Sequence, residues 1–269
     1  MPELPEVETF VRALRRPLLG RTIVAARNDW PRHIALPPDE LAARIAGRRI
    51  EAIDRRGKYL VFSLSDDENL IIHLKMTGHL SVVPADTPPD PYAHTVFALD
   101  DGRELRFRDP RKFGRVYLVR DPADVVGPLG PEPLTDEFTA DELVARLAGR
   151  RRVLKPLLID QTFIAGIGNI YADEALFDAG LRPTRRSETL SAAEIAALHA
   201  AIRKVLALGI EREGASISSY VKADGQKGDM HNAVAVFRRT GQSCYACGGP
   251  IERIVLGGRS THYCPNCQR

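Results

Sequence analysis

Asp121-Pro-Ala-Asp-Val-Val-Gly-Pro-Leu-Gly-Pro-Glu-Pro-Leu-Thr-Asp-Glu137 is the stretch on which the architecture turns. Pro122, Pro128, Pro131 and Pro133, with Gly127 and Gly130, break up any regular element. Proline lacks the amide hydrogen that a ladder or helix needs, and glycine loses the most freedom on ordering. The segment 122–137 therefore reads as a linker, and the hydrophobic pattern differs on its two sides.

Before it, residues 22–29, 49–55, 58–64, 69–76, 94–99, 103–108 and 114–119 read as strands. Thr95-Val-Phe-Ala-Leu99 and Tyr59-Leu-Val-Phe-Ser-Leu64 read as alternating apolar and polar residues, the period of a half-buried strand. Asp101-Gly102 marks a tight hairpin, and Asp66 to Asn69 a looser turn. This half is predicted to be an antiparallel β-sandwich. Leu4, Val7, Phe10, Val11 and Leu14 recur at helical spacing, so residues 3–16 form an amphipathic helix packed against it.

After the linker the period becomes helical. Thr139 with Glu142, and Ser191 with Glu194, are capping boxes, the second opening a helix that runs to about Arg212. Gly166-Ile-Gly-Asn169 leads into a helix from Ile170 to Ala179, closed by Gly180. Residues 213–235 are rich in Gly, Ser, Asp and Lys and read as a mobile loop. The chain is thus α+β and multidomain. The expected division is a β-sandwich at 2–121, the linker, a helical part at 138–235 and a cysteine module at 236–269.

Cys244-x-x-Cys247 and Cys264-x-x-Cys267, sixteen residues apart, define that module. Two such pairs supply the four thiolates of a structural zinc site, and no fifth ligand is apparent. The residues between them read as a β-hairpin around Gly257-Gly258. With so little apolar material, the module depends on its metal; structural zinc contributes ~10–16 kcal/mol. A disulfide pair is the competing reading, disfavoured in a reducing compartment.

The chain has 269 residues, 44% hydrophobic, with a net charge of +3 and pI near 8.7. Total charge is weak evidence for a polyanion, but arginine clusters at 48–49, 55–56, 106–112, 150–152 and 238–239 leave one basic face plausible. No secretory leader or bilayer-long apolar run is present, which points to a cytoplasmic protein.

The opening Met-Pro-Glu-Leu-Pro-Glu has two readings. Proline and glutamate suit the first turn of a helix. With Met1 removed, however, Pro2 is a secondary amine beside Glu3 and Glu6, and such an amine can attack an electrophilic carbon to form an iminium.

Several motifs occur together and in order. They are Met1-Pro-Glu-Leu-Pro-Glu-Val-Glu-Thr9, Gly57-Lys-Tyr-Leu60, His73-Leu-Lys-Met-Thr-Gly78, Asp109-Pro-Arg-Lys-Phe-Gly114, Gly166-Ile-Gly-Asn-Ile-Tyr171 and the cysteine hairpin. From residue 2 to residue 268 the chain resembles the formamidopyrimidine-DNA glycosylase family. The resemblance implies a bifunctional repair enzyme that excises oxidised purines, 8-oxoguanine and formamidopyrimidines, and then nicks the backbone at the abasic site. It implies damaged double-stranded DNA as partner, one structural Zn2+, no membrane and a monomer working at the nucleoid.

It also implies roles. Pro2 attacks the sugar C1′, Glu3 is the acid/base carboxylate, and Glu6 is a second carboxylate orienting the amine or a water. Lys58 reaches the lesion phosphates and donates a proton in β-elimination. Arg259 clamps a phosphate and is tied to δ-elimination. A flipped base leaves a hole in the stack, and Met76, Arg111 and Phe113 match the trio that fills it, the arginine satisfying the orphaned cytosine. Asn169 matches a phosphate ligand at a helix N-terminus, with Arg150 and Lys155 as further DNA contacts. The family often carries His-x-His before its Asp-Pro-Arg motif; here Tyr92 replaces the first histidine and His94 keeps the second. Lys75 stands where Gly is usual, and His262 where an aromatic is usual. The loop 215–235 matches poorly, and it is the lesion-capping loop.

The sister group, endonuclease VIII acting on oxidised pyrimidines, is the nearest alternative; Leu4 and the Met76/Arg111/Phe113 trio favour the purine enzyme. A non-catalytic damaged-DNA-binding module is disfavoured by Pro2, Glu3 and Lys58. A zinc-ribbon subunit of a larger complex explains only the last thirty residues.

Overall fold

The computed structural model describes residues 1–216, 223 and 225–269. The chain forms two compact units, Met1–Pro128 with Glu213–Gly228, and Leu129–Arg212 with Asp229–Arg269.

The first unit opens with α1 (Leu4–Leu18), which buries Leu4, Val7, Phe10, Val11, Leu14 and Leu18 along one stripe. Burial of each such side chain stabilises by roughly 1.5–3 kcal/mol, which fixes α1 on the sheet. Then follow β1 (Thr22–Asn28), α2 (Pro38–Ile45), β2 (Arg48–Arg56), β3 (Tyr59–Leu64), β4 (Asn69–His73), β5 (His79–Pro84), β6 (Ala93–Leu99), β7 (Arg103–Arg108) and β8 (Arg115–Val119). The strands hydrogen-bond in the order β5-β7-β6-β1-β2-β3-β4-β8, with antiparallel pairing between each named neighbour. The join between β1 and β2 is narrow, Thr22 facing Arg49 and Ile23 facing Arg48, with register shifts in both strands. The halves on either side share one core, in which Phe97, Leu105 and Phe107 of one meet Ile53, Phe62, Leu70 and Val116 of the other. This is the expected antiparallel sandwich.

Two details depart from the sequence reading. The strand expected over 69–76 stops at His73, because Leu74–Gly78 is a turn closed by the Gly78 N–H on the Leu74 carbonyl at 2.9 Å. The next strand, β5, was not expected. The mostly apolar stretch from Leu70 to Met76, interrupted only by His73 and Lys75, conceals the break between them. Within 122–137 the chain makes a single turn of helix, α3 (Ala123–Val126).

The second unit contains α4 (Ala140–Leu147), α5 (Leu154–Leu158), α6 (Asn169–Asp178) and α7 (Ala192–Glu211), then β9 (Glu252–Leu256) and β10 (Arg259–Tyr263). Thr139 Oγ1 accepts the Glu142 N–H at 3.1 Å, and Ser191 with Glu194 forms a full capping box. The short α5 was hidden by Pro156, which a first helical turn tolerates because its amides have no intrahelical partners. α6 packs on both α7 and β10, which brings the helices to the cysteine hairpin. Among the described residues no helix is long and apolar enough to cross a membrane.

Candidate active site and nucleic-acid contacts

Pro2, Glu3 and Glu6 are buried at the start of α1. Glu3 is the extended residue before the first turn, so Pro2 lies off the positive end of the helix. Glu6 Oε2 accepts the Glu3 N–H at 2.7 Å, and Glu6 Oε1 accepts the Ala215 N–H at 2.8 Å. Both carboxylate oxygens therefore engage backbone, one at the residue joined to Pro2 and one in the segment that leads into the expected capping loop. That loop falls partly on residues 217–222 and 224, which lie outside the described residues.

Lys58 follows Gly57 in the tight β2–β3 connection and is only 4% exposed. His73, at the end of β4, packs edge-on against Tyr59 with ring centres 4.5 Å apart. Its Nδ1 accepts the Lys75 N–H at 2.9 Å, so the proton of the neutral ring sits on Nε2. Burial, then the charges of Lys75 and Lys58, push its pKa down to about 3. His73 is therefore a neutral donor held beside the Lys58 charge. The sequence alone assigns His73 no role beyond its place in the His73–Gly78 motif; the nearby Lys58 and Lys75 are the signal it offers.

Met76 is half-buried in the Leu74–Gly78 turn. Arg111 and Phe113 are exposed on the loop after β7, with the guanidinium carbon 4.8 Å from the ring centre. Tyr92 is exposed as well, its ring beneath the Arg108 guanidinium at 4.9 Å. His94 is a correction. It was expected as a DNA contact, but it is 5% exposed, its Nδ1 lies 2.7 Å from Asp29 and its ring packs edge-on against His33. On β6 it is almost wholly covered and leaves little surface for a phosphate, although its Asp29 partner is exposed.

In the second unit Asn169 begins α6 and donates from Nδ2 to the Ser260 carbonyl at 3.0 Å. Arg259, the residue before, is exposed at the start of β10. Arg150 is exposed, its guanidinium 5.4 Å from the Phe163 ring centre. Lys155 is a second correction. Its side chain is 0% exposed, paired with the equally buried Asp173 at 2.6 Å, and Nζ donates to the Ser260 carbonyl at 2.7 Å. Asp173 also accepts the His262 N–H at 2.9 Å. A buried charge needs a partner, and this lysine has one inside the fold, so it braces β10 and is not open to DNA.

The four cysteine sulfurs lie within 4.8 Å of one another. Cys244 and Cys267 are 3.9 Å apart and Cys247 and Cys264 3.5 Å, too far for a disulfide. A tetrahedral site with Zn–S near ~2.3 Å has edges of about 3.8 Å. The cluster thus fits a single structural zinc at the base of the β9–β10 hairpin.

Three family models match in order. They are the formamidopyrimidine-DNA glycosylase N-terminal domain over residues 1–116, its H2TH domain over 129–221, and the zinc finger found in FPG and IleRS over 241–269. A curated formamidopyrimidine-DNA glycosylase of Herpetosiphon aurantiacus is 50% identical over 273 residues, covering all of both chains. That of Protochlamydia amoebophila is 42% identical, again over the whole of both chains. Among solved structures, the MutM (FPG) protein of Thermus thermophilus is 43% identical with a TM-score of 0.90, covering 99% of this chain and 98% of that one. The Lactococcus lactis enzyme in complex with abasic-site DNA is 36% identical with a TM-score of 0.93, covering 99% of each chain.

Proposed function

As this chain belongs to the formamidopyrimidine-DNA glycosylase family, we propose that it excises oxidised purines from duplex DNA through a covalent intermediate on Pro2, then cleaves the abasic strand. The lesion is flipped out of the stack, at a cost of a few kcal/mol. Once Met1 is removed, the Pro2 nitrogen attacks C1′ and the damaged base departs with the bonding pair. Glu3 carries protons to and from the opening sugar. The iminium acidifies C2′, and the 3′ and then the 5′ phosphate are eliminated. Lys58 stabilises phosphate charge and donates a proton, with the His73 Nε2 hydrogen as a neutral second donor beside it.

The observation that carries this reading is the tethering of Glu3 by Glu6. A carboxylate hydrogen-bonded to backbone on both oxygens fixes the peptide that bears the nucleophile, and orientation of reacting groups is a large part of a rate enhancement. In the same reading residues 2–121 carry the chemistry, while 138–235 and the zinc module at 236–269 hold the duplex through Asn169, Arg150 and Arg259.

Borohydride trapping on a duplex with 8-oxoguanine opposite cytosine, with peptide mapping of the adduct, tests it. An adduct on Pro2, lost in Pro2→Gly together with base excision but not with lesion binding, is the expected result. Full glycosylase activity in Pro2→Gly sinks the covalent mechanism. Trapping only with oxidised pyrimidines moves the chain to the sister specificity. Tight binding with no adduct on any lesion makes it a binding module.

A further inference from the structure

Two loops carry the three side chains assigned to the hole left by the flipped base, and both meet at one buried carboxylate. β5 and β7 pair antiparallel, with His79 opposite Arg108 and Leu80 opposite Phe107. The Met76 turn, just before β5, therefore lies beside the Arg111–Phe113 loop, just after β7. Asp109 sits between them and is 0% exposed. Its Oδ1 accepts the Thr77 hydroxyl at 2.5 Å and the Arg111 N–H at 3.3 Å. Its Oδ2 accepts the Phe113 N–H at 2.8 Å and the Gly114 N–H at 2.7 Å.

The packing beneath repeats the pattern. Gly78 ends the first turn and Gly114 the second loop, and both press on the Phe107 ring. A Cβ on Gly78 would stand 2.7 Å from that ring, and one on Gly114 2.3 Å from it. His33, fully buried, packs on the same ring at 5.3 Å between centres and sets its Nε2 3.5 Å from Asp109. Burial opposes the charge on Asp109, but His33, Thr77 and the Gly114 amide outweigh it and hold the carboxyl below the usual range. A charged acceptor makes stronger bonds than a neutral one.

We infer that Asp109, through Thr77 on one side and the Arg111, Phe113 and Gly114 amides on the other, is a positioning residue that locks Met76, Arg111 and Phe113 into one wedge. The inference rests on the void-filling assignment of those three side chains. Without the lock, the Met76 turn and the arginine loop move independently. Arg111 then meets the orphaned base in many poses, and preference for cytosine over other opposite bases is the property that suffers.

The test is single-turnover excision of 8-oxoguanine opposite cytosine and opposite adenine. Thr77→Val removes the hydroxyl at nearly constant volume, and Thr77→Ser restores it. Asp109→Asn is the second variant, because one amide oxygen cannot serve both loops. Thr77→Val and Asp109→Asn are expected to slow excision opposite cytosine by about 10- to 100-fold, the scale of ångström misplacement. The cytosine-to-adenine rate ratio should contract as it does in Arg111→Ala, while Thr77→Ser keeps the parent ratio. Borohydride trapping on a single-stranded abasic oligonucleotide, which has no stack to fill, should stay within about twofold of the parent in Thr77→Val. General loss of folding would lower that trapping as well. Parent ratios in Thr77→Val and Asp109→Asn, where Arg111→Ala contracts the ratio, overturn the lock and leave the void-filling assignment standing. A parent ratio in Arg111→Ala overturns the assignment, and the lock with it.

Discussion

Glu6 and Ala215, 209 positions apart in the chain, are joined by a 2.8 Å hydrogen bond from the Ala215 amide to the Glu6 carboxylate. The other oxygen of the same carboxylate holds the Glu3 amide. One side chain thus links the peptide that bears Pro2 to the segment entering the 215–235 loop. On the proposed mechanism Glu6 would act on the reaction by holding backbone at both ends.

Glu6→Gln tests this. The amide keeps one acceptor and turns an N–H toward the second donor, so one of the two buried amides is left unpaired. The expected outcome is a stability loss of about 1–3 kcal/mol and single-turnover base excision slower by about 10- to 100-fold. Stopped-flow or quench kinetics beside a melting curve measures both. A parent rate in Glu6→Gln means that the tether is dispensable.

Lys155→Met separates a structural brace from a DNA contact. The substitution leaves Asp173 charged and buried, and breaking a buried pair costs about 3–5 kcal/mol. Lys155→Met/Asp173→Asn removes the stranded charge yet keeps an acceptor for the His262 amide, so it should recover part of the loss. The salt dependence of DNA affinity should be unchanged in Lys155→Met, whereas Arg259→Ala, which removes an exposed cation, should lower the slope by about one. A variant that melts like the parent but binds with a reduced slope would return Lys155 to the DNA surface.

The contrast shows what a linear reading can see. The alternation in 59–64, the helical spacing in 4–14 and the two Cys-x-x-Cys pairs each encode their element within a few residues. β5 is hard to see in the sequence because Leu70 to Met76 is mostly apolar, with only His73 and Lys75 between, and the break lies in backbone geometry. Lys75 adopts φ +52° there, a left-handed position that glycine takes more readily than any other residue. His94 and Lys155 read as DNA contacts on paper because a basic residue looks the same whether it faces a phosphate or an aspartate of its own fold, Asp29 for one and the buried Asp173 for the other. Asp109 was invisible as a hub because its partners are backbone amides and a threonine 32 positions away. Local pattern specifies elements; the polar ties between them appear only once the chain is folded.

Removal of the metal should unfold the hairpin and leave the helices standing. The apolar residues under it are few, Val236 and Ile251 with Cys244 and Cys264 and the edge of Phe177, too little to hold two five-residue strands against their conformational entropy. After chelation with verified metal loss, DNA affinity should collapse because Arg259 no longer has a fixed position. Cys264→Ser should behave likewise. Far-UV circular dichroism should retain its helical signal, since α6 and α7 pack on one another. Parent affinity in metal-free protein refutes the role given to this module.

His73 makes a pH prediction whose sign follows from its environment. Its folded pKa is about 3 against an ordinary value of 6.5, so between those values the unfolded chain binds a proton that the native chain refuses. Stability supported by the neutral ring is complete above the ordinary value and is lost as pH falls toward the folded one, because acid favours the form that takes up the proton. The slope from this one group approaches about 1.4 kcal/mol per pH unit. His73→Asn keeps an acceptor for the Lys75 amide but cannot titrate. Urea unfolding of both proteins from about pH 4 to pH 7 isolates the term, since other titrating groups cancel in the difference. The parent should lose stability on acidification faster than the variant across that window, and parallel curves would show that His73 takes up its proton without resistance from the fold.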